Sequence, residues 1–584
     1  MQGVFIFSDF KPFTKEIIEQ LGIPDKHVIS TQTFNKENNY HDWLVEMFKN
    51  NEIKKILIPL NLNTNDPIND GLKIALHIRL NYELPVIKRL VPIIFISDLT
   101  LDVIISKTTF DSSTNPQNLL FTKSVFLTSF DIDEIKHVIQ KVEPCAENEY
   151  HVGILNKLKI TQRASVGKHS ISNAWGCFKL AQVAGLRDEI YKNENVAEHL
   201  KTLYAKYLIC YNESYTNDKL IDLSPIKCIG KKILFIDDQS EDGWSILMKN
   251  IFKSAGNNFL AIDSSKYMNH ETKLFHDFDG FYSECLKQIG IDWDLIIMDL
   301  RLNPEKEDID SGMIQPTELS GYKLINEFLN QNEGYQIIVS TASNKIWNIN
   351  SALRRGASSY YIKESPEFNY SLKDTKKNYD NFKEDVNKCF EKNYLRRVDI
   401  VHKKCLKYIT VDSPGRGINY QIFYDRTIAS FQIAFELLGK TTINPKYFNL
   451  AFLTYFQIIE DFVGQRENFQ RISNRECYVG SSRTRIIDDS AGILIWKLTY
   501  IQDRVNGDYF IMVDEVKPNE VSIQTLAKVS FVLAFMFHKD NSFLKKWANL
   551  NNIRNTKAGH GGANGYVTSA NIEELLEIIE LILT

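Results

Sequence analysis

Three acidic residues close two short apolar runs near the middle of the chain. The run "KKILFIDD" ends in Asp237 and Asp238, and "WDLIIMDLRL" carries Asp299 at the end of an unbroken apolar stretch. Two further runs end on a hydroxyl and an ammonium: "YQIIVSTAS" on Thr341 and "SSYYIKES" on Lys363. Near-continuous runs rich in Ile, Leu and Val read as strands buried on both faces of a parallel sheet. In such a sheet, ligands bind outside the carboxyl ends of the strands. Three carboxylates gathered there repel one another unless a divalent cation neutralises them. Hard oxygen ligands beside a phosphate suit Mg²⁺.

This set of residues resembles the receiver domain of two-component signalling, and the resemblance covers residues 230–370. It implies that Asp299 is the phosphoacceptor, a carboxylate nucleophile directed at the phosphorus of a phosphohistidine. It also implies that Asp237 and Asp238 hold Mg²⁺ together with Asp299, with the backbone carbonyl of Arg301 as a further ligand. Thr341 would donate its hydroxyl to a phosphoryl oxygen, and Lys363 would pair with the phosphoryl charge. Tyr360, three residues before that lysine, falls at the family's aromatic switch position. Adding a charge of about −2 would draw Thr341 and Lys363 inward and repack the neighbouring loop and helix. One feature departs from the family: the loop "NPEKEDIDSGMIQPTELS" after Asp299 is longer and more acidic than the usual turn.

The first 140 residues repeat the rhythm. "VFIFSDF" parallels "ILFIDDQ", so Ser8 and Asp9 fall where Asp237 and Asp238 stand. "ILIPLNLN" puts Pro59 at the acceptor position, "IIFISD" offers Ser97 for Thr341, and "LLFTKS" offers Lys123 for Lys363. Proline cannot be phosphorylated, and one acid of the metal pair is lost. The segment 1–140 therefore reads as a degenerate, receiver-like α/β domain serving as a docking or dimerising surface.

Near the end of the chain, "NSFLKKWANLNNIRNTKAGHGGANGY" places Arg554 and Asn555 shortly before His560. The spacing resembles the catalytic motif of HEPN domains, which are helical-bundle ribonucleases. The resemblance implies metal-independent RNA cleavage, with His560 as general acid or base. Arg554 would stabilise charge developing on the phosphorus, and Asn555 would orient one of them. A need for the 2′-hydroxyl would restrict the substrate to RNA, and the family implies a homodimer. An earlier helix, "FLTYFQIIEDFV", supplies Glu460 and Asp461 where such bundles carry an acid. Arg471, Arg475, Arg483 and Arg485 fit a phosphate-binding patch and equally a charged, solvated loop. "RRVDIVH" is a decoy, in which Arg397 and His402 meet the spacing without the polar second residue.

These groups need elements to hold them. The expected architecture is multidomain, α/β plus all-α: two flavodoxin-like, doubly wound parallel sheets, a helical insert and a C-terminal helical bundle. The expected boundaries are 1–140 for the degenerate copy, 141–229 for the helical linker region and 230–370 for the phosphorylatable receiver. A connector at 371–424 and the HEPN-like output region at 425–584 complete the chain. In the linker, His169 and Asn173 stand four apart on one helical face. That pair is similar to the phosphorylated helix of some histidine kinases, but no ATP-binding region follows, which argues against autophosphorylation. His169 reads as a packing residue beside Trp175, with a phosphorelay histidine as the alternative. With 43% apolar and 24% charged residues, the 584-residue chain has the composition of folded domains. A net charge of −4 confines any nucleic-acid contact to a local patch.

Eight cysteines without a CxxC pair fit reduced thiols rather than zinc or disulfides. The acidic start and the lack of a long apolar run point to a cytoplasmic protein with no signal peptide and no membrane partner. The sequence supports a response regulator phosphorylated by a histidine kinase or phosphotransfer protein and controlling a ribonuclease, in the manner of bacterial stress or phage-defence systems. The alternative is a non-catalytic regulator that dimerises or binds a partner when phosphorylated.

Overall fold

Runs such as Val4–Ser8 and Leu295–Met298 bury every side chain. They are stable only inside a sheet covered on both faces, the arrangement a parallel sheet flanked by helices provides. The computed structural model describes residues 3–584 except 31–38, 63–68, 108–114, 162–167, 214–220, 308–314, 413–417, 485–497, 503–508, 514–524, 560–564 and a few shorter stretches. Two parallel five-stranded sheets form.

The first sheet contains β1 (Val4–Ser8), β2 (Val28–Ser30), β3 (Lys55–Pro59), β4 (Ile93–Ile96) and β5 (Val125–Thr128), in the order β2-β1-β3-β4-β5. The second contains β6 (Ile233–Ile236), β7 (Phe259–Ala261), β8 (Leu295–Met298), β9 (Ile337–Thr341) and β10 (Ser359–Ile362), in the order β7-β6-β8-β9-β10. Numbered from its own first strand, each sheet runs 2-1-3-4-5, the doubly wound flavodoxin-like order.

The helices that matter for the site follow in chain order. Gly71 lies at the start of α1 (Asn69–Arg79), and its N–H donates to the Leu60 carbonyl at 3.3 Å. A Cβ there would lie 2.7 Å from the Pro59 carbonyl oxygen. The linker region supplies α2 (Lys168–Val183), α3 (Glu194–Leu200) and α4 (Leu203–Glu213). Where α4 meets α1, the buried Lys206 Nζ lies 2.9 Å from His77 Nδ1. In the second sheet domain α5 (Ser245–Ile251) follows β6, and α6 (Ser320–Gln331) follows β8.

Gly321 in α6 repeats the role of Gly71. Its N–H donates to the Leu300 carbonyl at 3.0 Å, and a Cβ would stand 2.1 Å from the Asp299 carbonyl oxygen. The same glycine at the same place in both sheets is an internal signature of the repeat.

Helix α7 (Leu372–Glu391) starts on a capping box between Ser371 and Asp374 and packs back on the sheet. One continuous core joins the first sheet, α2–α4, α5, α7 and one face of the second sheet, including Phe178, Trp244, Tyr361 and Phe382.

Two smaller clusters cover the other faces of the sheets, one around Ile236, Phe328 and Val339 and one around Ile6, Ile94 and Ile135. Beyond α7 a separate core begins. It gathers α8 (Tyr394–Lys407), α9 (Ile418–Gly439), α10 (Lys446–Gly464), α11 (Thr525–Phe531), α12 (Asn541–Ile553) and α13 (Ser569–Leu583). Helix α9 runs unbroken through residue 425, and the connector's α8 buries Leu395, Val398, Val401 and Cys405 in this bundle. Not all of the region is helical. Strands Phe469–Ser473, Glu476–Val479 and Ser482–Thr484 form one antiparallel piece, and Leu498–Gln502 pairs with Tyr509–Val513 in another. Their β-branched and aromatic residues favour the pleated sheet over the helix.

The bundle joins the second sheet domain at its amino-terminal rim. Arg396 of α8 pairs with Asp292 at 2.6 Å, and Asn393 donates to Asp294 at 2.7 Å, just before β8. Lys403 donates to the carbonyls of Asn330 and Gln331, which end α6 on the same rim.

Candidate functional site

Strand β6 ends at Ile236, so the next two residues leave the sheet at its carboxyl rim. Beside them the N–H of Asp299 donates to the Ile236 carbonyl at 3.0 Å, which fixes the adjacent strand end. Asp237, Asp238 and Asp299 each bring a carboxylate oxygen within 4.8 Å of the others, and all three are buried. Lys363 follows β10, and its N–H donates to the Thr341 carbonyl at 2.8 Å. Its side chain reaches across to Asp237 Oδ2 at 2.7 Å and Asp299 Oδ2 at 2.8 Å. The N–H of Gln239 holds Asp237 at 3.0 Å, and that of Arg301 holds Asp299 at 3.1 Å. Thr341 is buried at the end of β9, while Tyr360 on the edge strand β10 is 42% exposed.

The electrostatics follow from three acids and one base in a buried space. Burial raises the pKa of Asp238 well above the ordinary carboxylate range, and Asp237 and Asp299 push it further. Asp237 is also raised, by burial first, with Lys363 opposing and Asp299 adding to the rise. Burial alone would lower Lys363, but Asp237, Asp299 and Asp238 hold its ammonium above the usual value. Acids outnumber bases here, and the donor set is all oxygen. The chemistry therefore fits a hard divalent cation such as Mg²⁺.

Trp244, which sequence reasoning passed over, and Asn173, to which it gave another role, complete the wall. Lys363 Nζ stands 5.0 Å from the Trp244 ring centroid and donates to Asn173 Oδ1 at 3.1 Å. Asn173 belongs to α2, outside this sheet. The sequence had marked Asn173 only as the partner of His169 on one helical face. The side chain of His169 lies outside the described residues.

The first sheet lacks the chemistry. Ser8 is buried at the end of β1 and Pro59 ends β3, with Ser97 just past β4. Asp9 lies outside the described residues. The assignment of Lys123 needs correction: it precedes β5 and pairs with Glu149 at the amino-terminal side. The register shows why. Pro59 pairs with Ile96 and Ile96 with Thr128, so the position matching Lys363, two residues past the strand pair, is Phe130. The sequence signal failed because "LLFTK" copies the apolar-then-lysine pattern one element too early, in a 3₁₀ turn over Pro116–Phe121.

In the C-terminal bundle, Arg554 follows α12 where the helix widens into a π turn over Arg554–Ala558. Its guanidinium lies 3.9 Å from Glu460 of α10, donates to Asn555 Oδ1 at 3.0 Å and sits 5.6 Å from the Phe456 ring centroid. His560, Arg475 and Arg485 lie outside the described residues, while Arg471 and Arg483 sit on strands of the antiparallel piece. The decoy resolves cleanly. Arg397 pairs with Glu580, and His402 is buried against Phe431 and Tyr455, with its pKa pushed down to about 3 by burial.

Doubly wound sheets of this order, one with an acid cluster at its carboxyl rim, define a receiver-like class. Residues 10–128 match the family model of the inactive receiver domain. The N-terminal sheet is therefore a pseudo-receiver, in keeping with the proline and phenylalanine at its reactive positions. No curated protein matches the chain. Among the described residues, no helix is long and apolar enough to cross a membrane.

Proposed function

We propose that the protein is a response regulator phosphorylated on Asp299 by a histidine kinase or phosphotransfer protein. One observation carries this reading: three buried carboxylates converge within 4.8 Å with Lys363 in contact with two of them. A bound Mg²⁺ would screen the carboxylates and the incoming phosphoryl oxygens. Asp237, Asp238, Asp299 and the Arg301 carbonyl would hold it. An Asp299 oxygen attacks the phosphorus, the N–P bond of the donor breaks, and the imidazole leaves. The product is an acyl phosphate whose charge Lys363 and the Thr341 hydroxyl pair with. Tyr360 would report the change at the exposed edge strand.

The helical bundle is the output. The contact of Arg554 with Glu460 and Asn555 supports a HEPN-like site. His560 would complete it for RNA cleavage in a homodimer, consistent with a stress or phage-defence role. The alternative is a bundle that only dimerises or recruits a partner.

Purified protein incubated with Mg²⁺ and radiolabelled acetyl phosphate should acquire acid-stable, alkali-labile label that Asp299→Ala abolishes. Label persisting in that variant refutes the acceptor assignment. RNA cleaved by the wild type and spared by His560→Ala supports the ribonuclease. Intact RNA in every condition, with a phosphate-dependent change of oligomeric state, supports the recruiting alternative.

A further inference from the structure

Access to the acid cluster is closed from outside its own domain. Asp237 and Lys363 are fully buried, and Asp299 is 6% exposed. Helix α2 lies against this site. Asn173 on that helix is 5% exposed and accepts from Lys363 at 3.1 Å. One turn on, Gly176 lets the helix lie against the chain just after Lys363. A Cβ on Gly176 would stand 3.1 Å from the Glu364 carbonyl oxygen and 3.2 Å from its nitrogen. Next to it, Cys177 faces Gly243 of the loop after β6. A Cβ on Gly243 would lie 3.0 Å from the Cys177 sulfur.

The hydrogen-bond inventory of Lys363 sharpens the point. Nζ donates to Asp299 at 2.8 Å and to Asn173 at 3.1 Å and is ion-paired with Asp237 at 2.7 Å. A phosphoryl group pairing with Lys363 competes with these three partners. The amide of Asn173 is the weakest acceptor of the three, because the other two are charged. On its far side α2 borders a cavity of about 910 Å³, lined by Trp175, Phe178, Lys179, Tyr82 and Arg187 among others. Close-packed interiors leave little room for a helix to shift, but here the space into which α2 can withdraw is already present.

We propose that α2 is a lid over the phosphoacceptor site and that Asn173 is its latch, released from Lys363 before a phosphodonor reaches Asp299. This rests on the phosphorylation reading above and adds its regulation. The full-length chain would be compared with two variants. Asn173→Ala opens the latch. Gly243→Cys combined with Val196→Ala is designed as a reversible lock: the new thiol faces Cys177, and the second change removes the methyl 2.5 Å from the added Cβ, while the φ of +98° at Gly243 leaves backbone strain that the fold must absorb.

Two signals would be read: labelling of Asp299 by acetyl phosphate, and uptake of Mn²⁺ followed by loss of its free-ion paramagnetic resonance signal. Loss of a hydrogen bond to a charged group predicts that Asn173→Ala speeds both about tenfold. Oxidising the lock should suppress both, and dithiothreitol should restore them. Equal Mn²⁺ uptake in wild type, Asn173→Ala and oxidised lock overturns the lid. If Mn²⁺ uptake responds to latch and lock while no form is ever labelled, the lid stands and phosphorylation of Asp299 falls. Should the lock variant not fold, the comparison of Asn173→Ala with wild type decides alone. Slower or unchanged uptake in that variant rejects the latch.

Discussion

At the scale of single residues, the acid cluster stores unfavourable charge. The raised pKa of Asp238 means that the metal-free fold holds this proton more tightly than the unfolded chain does. The stability this group contributes is present at acid pH and lost as pH rises through its folded value. Asp238→Asn should therefore make the stability of the metal-free protein fall less between pH 4 and pH 8 than that of the wild type. On the proposed metal-binding reading, Mg²⁺ should raise the melting temperature of the wild type and leave that of Asp238→Asn unchanged. A calorimetric titration with and without the metal checks both signs. Gly321 makes an independent prediction. With a Cβ 2.1 Å from the Asp299 carbonyl, Gly321→Ala should cost about 3 kcal/mol and displace the acceptor strand end. Chemical denaturation measures the first effect and Mn²⁺ affinity the second.

At the scale of elements, much could be read from the chain because apolar runs and their terminal residues are local signals. "LIIMD" announces both a buried strand and the carboxylate at its rim. Lys123 misled because nothing local separates an apolar 3₁₀ turn from a strand; only pairing with Ile93–Ile96 shows that β5 starts at Val125. Asn173 was out of reach for a different reason. Its meaning depends on a contact with Lys363 across 190 residues, which no periodicity encodes. The antiparallel pieces between 469 and 513 interrupt a region whose flanks are helical, so the surrounding pattern concealed them. Buried His402 on α8 supplies the prediction at this scale. Its pKa lies near 3 when folded, so the stability it contributes above its unfolded value of about 6.5 is lost as pH falls below that value. His402→Gln should flatten the acid limb of the bundle's stability profile between pH 6.5 and 4, as followed by circular dichroism.

At the scale of the whole molecule, the apolar packing divides the chain near residue 393. Among the described residues three clusters lie between Val4 and Cys389, and a fourth runs from Leu395 to Leu583. Cores that share little apolar contact unfold separately, so scanning calorimetry should resolve two transitions. Phe178→Ala, in the first core, should lower only one of them, by about 3–5 kcal/mol. Arg396→Ala, at the junction with Asp292 and Asp294, should leave Mn²⁺ binding intact while moving the two transitions further apart. The position of that junction has a consequence for how news of phosphorylation could travel. Strand β8 has four residues, so the rim that would take the phosphate and the rim that grips the bundle lie roughly 13 Å apart. A field along that path crosses a fully buried strand, where electrolyte screens little. Whether the news travels as field or as backbone displacement, concentrated salt should leave the conversation between the two ends intact.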